Sequence, residues 1–150
     1  MLKSFIMDTG LLYLHSILRW IILLLLLICF FQALSKSSGI RKTSLWLMIS
    51  AHIMLLIGLY QLIAGRYGII KGLPEGVRLM KDTFYRFFWV EHPLLMIVSI
   101  ILITIARSKS KALNYKATGW LLFIALLLIL AAVPWPFREG IGRPWFPGMK

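Results

Sequence analysis

The chain has 150 residues, of which 60% are hydrophobic, and its formal net charge is +12. Its mean hydropathy of +0.85 excludes a soluble domain of ordinary composition, whose apolar fraction is about half. The positive charge does not indicate nucleic acid, because the basic residues lie in connections between apolar segments, where they are typical of contacts with phospholipid headgroups. The composition therefore predicts an integral membrane protein that contacts membrane lipids and binds no nucleic acid.

Four apolar segments are long enough to cross a hydrocarbon core of about 30 Å, which needs about 20 helical residues. They cover residues 11–34, 44–64, 87–106 and 117–133. The last two are near the lower limit, so we expect their helices to extend into the flanking residues. The first is too long for a signal peptide and should remain as a span. The sequence predicts an all-α fold, a four-helix transmembrane bundle in a single domain over residues 1–150.

Charge in the short connections predicts the orientation of the bundle. The first and third connections contain no acid and carry Lys36, Arg41, Lys42, Arg107, Lys109, Lys111 and Lys116. Because basic residues in short loops favour the cytoplasmic side, we expect both connections in the cytoplasm and both termini on the outer side.

The second connection and the C-terminal tail carry further patterns. Val77, Met80 and Phe84 recur at helical spacing ahead of the third span, which predicts an amphipathic helix on the outer surface within residues 65–86. Prolines in residues 134–150 exclude a regular helix there. The aromatic residues of this Pro/Trp-rich tail are typical of a C-terminal cap on the outer membrane surface or, equally, of a loose interfacial tail.

His15, His52 and His92 lie in three different spans. An imidazole in hydrocarbon is expected to face the protein interior and to find a partner there. His15 and His92 both fall roughly 6–8 Å below the outer edge at 1.5 Å per residue, whereas His52 falls near the midplane. This depth argument predicts His15 and His92 as two axial ligands of one metal. His52 is then a supporting group, a lower ligand or part of a quinone pocket.

Two alternatives to this assignment stay open. A boundary error of about three residues would pair His52 with His92 instead. The histidines could also form hydrogen bonds between helices without any cofactor. Pro93 disfavours a helical conformation at the preceding His92, so a kink or a fresh helix start is expected beside this candidate ligand.

Arg19 follows His15 by one helical turn, deeper in the same span. An arginine at that depth is costly unless it meets an anion or reaches the surface. Haem carries two propionates, which guanidinium groups bind in a bidentate manner, so Arg19 and Arg138 are candidate cofactor-binding residues. The competing partners of Arg19 are Glu91 and a phospholipid phosphate reached by snorkelling.

Other motifs are mostly absent from the sequence. Without a Cys-x-x-Cys-His motif, the haem would be held non-covalently, as haem b. The common hydrolase and phosphate-binding motifs are missing too. These absences favour an electron-transfer protein over a stand-alone enzyme.

The combination of HSILRW, SAHIMLLIGLY, MKDTFYRFFWVEHPLLM and PWPFRE resembles a group of small four-helix bacterial membrane proteins described as cytochrome b-like. The resemblance implies haem b binding and electron transfer in the bacterial inner (cytoplasmic) membrane, with His15, His52 and His92 matching the group's histidine positions. The six-helix cytochromes b561 typically use four histidines for two haems. The three histidines here predict at most one haem per chain, unless a dimer shares another.

The sequence therefore predicts a membrane b-type cytochrome that binds one haem near the outer leaflet. It would pass electrons between a quinone or quinol and a redox partner protein. The main alternative is a non-catalytic small subunit or assembly factor of a larger membrane complex, without a haem of its own. A histidine-based transporter or proton relay is disfavoured, because no acidic residue lies in the middle of a span.

Overall fold

The computed structural model of the chain describes residues 2–149, with side chains from residue 7 onward. Its helices are α1 (Leu2–Leu34), α2 (Ile40–Ala64), α3 (Thr83–Arg86), α4 (His92–Lys111) and α5 (Tyr115–Ala132). A 3-10 turn covers Ile69–Lys71, and a π-helical segment, Phe87–Glu91, joins α3 to α4. The described residues contain no strand, which confirms the all-α prediction.

Four helical stretches are long and apolar enough to span a membrane. They are Met7–Leu34, Ile40–Lys71, Thr83–Lys111 and Tyr115–Ala132. The expected extension of the third span is confirmed, since α4 continues to Lys111. The fourth begins at Tyr115, capped by the Asn114 side chain, which accepts a hydrogen bond from the backbone N–H of Ala117 at 3.1 Å.

The four long helices form a ring in which each packs against two neighbours. Helix α1 packs on α2 and α5, and α4 packs on the same two helices. Helices α1 and α4 are therefore diagonally opposite across the bundle. We call the end that carries the connections 35–39 and 112–114 the basic end. The opposite end, covered by residues 134–149, is the cap end.

The fully buried residues of α2 and α4 are concentrated towards the basic end. The fully buried side chains of the core include Leu26, Leu47, Ile103 and Leu122. Across the described part of the chain, α4 has no buried residue before Ser99, and α2 has none after Ala51 except Ile57. Helix α5 is buried at intervals along its whole length. The fully buried residues of α2 and α4 thus lie mainly away from the cap half, which contains the candidate ligands.

The predicted amphipathic helix is wrong for most of the second connection. Val77 lies in irregular structure and Met80 in a turn, and the helix begins only at Thr83. Gly72 and Gly76 adopt positive φ angles of 73° and 78°, which interrupt any helix ahead of that point. Asp82 then caps α3, because its carboxylate accepts a hydrogen bond from the Tyr85 backbone N–H at 2.9 Å.

The expected fresh helix start beside Pro93 is wrong, because one helical stretch, Thr83–Lys111, runs through the proline, and Glu91 and His92 both have right-handed helical φ and ψ angles. Helix α4 begins at His92, directly after the π-helical segment, and Pro93 lies in its first turn. The change from π-helical to α-helical hydrogen bonding thus lies directly beside the proline, which has no N–H to donate to the preceding turn.

The C-terminal segment packs against the end of the bundle. Trp20 of α1 lies with its ring centroid 5.9 Å from that of Trp145 and 6.1 Å from that of Phe146. The ring of Trp135 is 6.3 Å from Trp20. Of the two alternatives for the tail, the structure shows a segment folded onto the bundle, and we call residues 134–149 the cap.

Candidate functional site

His15 and His92 face each other across the interior of the bundle. Their ring centroids are 6.3 Å apart, and the ring planes are inclined by 49°. Both side chains are half-buried. Since α1 and α4 are diagonally opposite, only side chains that point inward can meet in this way. The expectation that these two rings lie at the same depth is confirmed.

The orientation of His92 is fixed by helix α5. Its Nδ1 lies 2.8 Å from the carbonyl oxygen of Ala132. A carbonyl can only accept, so Nδ1 carries the proton and Nε2 keeps its lone pair. A histidine held by a carbonyl in this way is pre-oriented to bind a metal through its other nitrogen. The rings of Phe87 and Phe88 lie 5.9 and 6.5 Å from His92 and form an apolar wall beside it.

The His15 ring lies against Gly58 of α2, which has no side chain. A Cβ atom placed on Gly58 would lie 3.6 Å from Cε1 of His15, so the glycine leaves room for the ring. Its Nδ1 is buried and has no hydrogen-bond partner among the described residues. An unpaired buried polar atom costs about 1–3 kcal/mol. The pair therefore includes a polar atom that a ligand or water could satisfy.

His52 does not join this pair. It is exposed on the outside of α2, and its Nδ1 lies 2.8 Å from the carbonyl oxygen of Met48 in the same helix. The expectation that it faces the interior is wrong, because the buried face of α2 passes through Leu47 and Ala51. The Met48 carbonyl, one turn earlier in the same helix, gives one of the two ring nitrogens of His52 a hydrogen-bond partner.

Arg19 binds the cap rather than an acid. Its Nη2 donates to the carbonyl oxygen of Trp145 and, at 3.3 Å, to Oγ of Ser16. Its Nε is buried and has no partner within the described residues. Glu91, one of the competing partners, pairs with Arg86 at 2.8 Å, so that alternative is wrong. The Arg19 guanidinium is partly used and keeps one buried donor free.

Arg138 lies at the C-terminal end of α5. Its Nη1 donates to the carbonyl oxygens of Ala131 at 2.8 Å and Val133 at 3.3 Å; the Val133 carbonyl also accepts from the Trp135 backbone N–H at 2.9 Å. Side chains that donate to the last carbonyls of a helix stabilise its end. Its guanidinium also lies 4.8 Å from the centroid of the Phe87 ring. Arg138 therefore stabilises the same helix end that orients His92.

Sequence reasoning missed the contributions of Gly58, Ala132 and Phe87. A glycine inside an apolar span is a recognisable signal of close approach. The carbonyl of Ala132 carries no signal in the sequence, since any residue would supply it.

The described residues contain no group of three or more His, Cys, Asp or Glu side chains that could hold a metal ion. A closed zinc site needs four protein ligands and a catalytic one needs three. Two facing imidazoles suit instead a metal that brings its remaining ligands with it, as haem iron does.

Comparisons with protein-family models, with curated proteins and with solved structures return no match to this chain.

Proposed function

We propose that the chain is a membrane b-type cytochrome in which His15 and His92 hold one haem b. The observation that carries this proposal is the 6.3 Å separation of the two ring centroids. With metal–nitrogen bonds of about 2 Å, imidazoles on opposite sides of one metal have ring centres roughly 6 Å apart. The two rings thus have the spacing that axial coordination requires.

Two further features support haem rather than a protein-only site. The number of candidate ligands suits haem, because the porphyrin supplies the four equatorial nitrogens. Helices α2 and α4 also have few fully buried side chains in the cap half, where the pair lies, so a planar group bound there would bury further apolar surface of the two helices.

A bound haem would supply reversible one-electron chemistry. The chain would orient His92 through the Ala132 carbonyl and keep water from the ring with Phe87 and Phe88. Arg19 and Arg138 each have guanidinium donors beyond those that bind backbone carbonyls. These donors make the two arginines the proposed partners of the propionates.

We propose that the haem exchanges electrons with a quinone or quinol and with a redox partner protein. The proposed location is the bacterial inner membrane, with the basic end in the cytoplasm and the cap end on the periplasmic side. Acid-free basic connections at one end of the bundle support this orientation. It would place the histidine pair near the outer leaflet.

Three single variants test the ligand assignment. We expect His15→Ala and His92→Ala each to abolish the low-spin haem spectrum of the purified protein, because each removes one axial nitrogen. His52→Ala is the matched control, since it removes an exposed imidazole from another span, and it should keep the spectrum. Size-exclusion chromatography in detergent controls for folding, since a folded variant should elute at the same volume as the parent protein. Loss of the spectrum in His52→Ala with retention in His15→Ala would overturn the assignment.

A further inference from the structure

One face of α2 carries a regular stripe that has no partner among the residues that the structure describes. The α2 stripe consists of residues separated alternately by four and three positions, namely Leu45, Ile49, His52, Leu56, Leu59 and Ile63. All are exposed except Leu59, which is half-buried, and Leu56 has 68% of its surface exposed. This alternation is the heptad spacing that brings two parallel helices together along a seam.

His52 is a polar side chain on an exposed face of the bundle. The described exposed residues of α1 between 17 and 31 and of α5 between 120 and 131 are all apolar. The exposed Thr104 of α4 donates its one hydroxyl proton to the Ile100 carbonyl at 2.8 Å, whereas His52 has a second ring nitrogen. Lipid covers such apolar faces without cost, but it cannot satisfy an imidazole. Because Nδ1 of His52 donates to the Met48 carbonyl, Nε2 remains as an acceptor that needs a donor.

We propose that the α2 stripe is the interface of a homodimer in which His52 lies beside the same residue of a second copy. In a twofold pairing of parallel helices, each seam position lies opposite itself. The one polar residue of the stripe then meets a polar residue, and the apolar residues meet apolar ones. A water between the two rings can donate one hydrogen bond to each Nε2 lone pair. A single polar residue in an apolar seam also fixes the register of the two helices.

The second copy would approach from outside the ring of helices. The buried face of α2 passes through Ser44, Leu47 and Ala51 towards α1 and α4, and the stripe lies on the exposed side. The dimer therefore does not depend on the proposed haem, which lies inside the bundle.

Cysteine crosslinking in native membranes tests the interface. Cys29 is fully buried, so the parent protein should give no crosslinked product. We expect Ile49→Cys and Leu56→Cys to form, on mild oxidation, a product of twice the monomer mass. Leu24→Cys and Leu127→Cys are matched controls, exposed on α1 and α5 at 60% and 51%. They should give several-fold less of that product.

His52 is then tested within the Leu56→Cys protein. We expect His52→Ala to reduce the crosslinked fraction several-fold and His52→Asn, which keeps a polar group, to restore most of it. Three outcomes would overturn the proposal: equal crosslinking at stripe and control positions, no crosslinking in the stripe, or a product of the stripe with a different polypeptide. The crosslinking assay measures the mass of the product and does not depend on haem absorption. A colourless protein that still forms the dimer would therefore reject the haem proposal and leave the dimer proposal standing.

Discussion

His15 and His92 are held in place by different means. His92 is fixed by a hydrogen bond from Nδ1 to the Ala132 carbonyl, whereas His15 depends on the space left by Gly58. The His92 ring is therefore pre-oriented, and the His15 ring keeps an unpaired buried nitrogen among the described atoms. Binding of a metal would order mainly the His15 side of the site.

Substitution of Gly58 tests this view of His15. An alanine Cβ would lie at an ordinary contact distance of 3.6 Å from the ring, so Gly58→Ala should keep a low-spin haem spectrum. Gly58→Leu adds atoms in the direction of the ring and should displace His15 from the metal, with loss of that spectrum. Absorption spectroscopy of the two purified variants makes the comparison. A parental spectrum in Gly58→Leu would show that the ring does not need this space.

Residues also show where sequence reasoning succeeds and where it stops. The shared depth of His15 and His92 follows from counting along helices of known rise. The outward position of His52 depends on how α2 is rotated about its axis, and its nearly continuous apolar sequence does not define that rotation. The partner of Arg19 is a backbone carbonyl 126 residues away, which no side-chain pattern could indicate.

At the scale of elements, the cap end of α5 organises the candidate site. The carbonyls of its last residues accept from Arg138 and His92, and the cap that follows returns to α1. There, the Trp145 carbonyl accepts from Arg19, from Ser16 at 3.4 Å and from Trp20 Nε1 at 3.5 Å. Three side chains from about one turn of α1 therefore bind one carbonyl of the cap and hold the cap against α1.

The link between Arg19 and the cap can be measured as stability. Arg19→Leu removes a charged donor from the Trp145 carbonyl and should lower the free energy of unfolding by about 1.5–3 kcal/mol. Removal of residues 144–150 deletes the acceptor itself. In the shortened protein, Arg19→Leu should therefore lower the free energy of unfolding by much less, because the two changes break the same contact.

Trp145→Ala is the matched control for this pair, since it removes the indole ring and keeps the backbone carbonyl. In that variant Arg19→Leu should retain most of its effect. Unfolding of the proteins in detergent, followed by circular dichroism, gives the comparison. Equal effects of Arg19→Leu in the full-length and shortened chains would show that the hydrogen bond to Trp145 contributes nothing.

Element prediction failed where glycine overrides a periodic pattern. Val77, Met80 and Phe84 have helical spacing, yet positive φ angles at Gly72 and Gly76 and the cap at Asp82 place the helix start at Thr83. The four long apolar helices were predicted correctly because about 20 consecutive apolar residues leave few alternatives to a helix.

For the whole molecule, the two ends of the bundle are held by different contacts. The basic end contains more of the fully buried residues of α2 and α4 and includes a buried hydrogen bond of 2.7 Å between the hydroxyls of Ser44 and Ser110. The cap end carries the histidine pair, and side chains there donate to backbone carbonyls such as those of Ala132 and Trp145. The candidate site therefore lies at the end of the bundle that the cap closes.

Reporter fusions test the orientation of this asymmetric bundle. We expect a fusion at Ser38 to report the cytoplasm, because the surrounding connection is basic and free of acids. Fusions at Glu75 and after Lys150 should report the outer side. Each site is fused in turn to a reporter that is active only in the cytoplasm and to one that is active only outside it. The two opposite signals from each site control for differences in expression. The reverse pattern would place the histidine pair at the cytoplasmic leaflet.

The central claim is that the histidine pair holds a haem, and the reduced-minus-oxidised absorption spectrum of the purified protein tests it most directly. Protein from haem-replete cells, reduced with dithionite, should show the sharp α and β bands of a low-spin b-type haem. Acid acetone should extract that haem, at one per chain, because it is not covalently attached. A colourless protein from the same cells would contradict the claim and favour a non-catalytic subunit of a larger membrane complex.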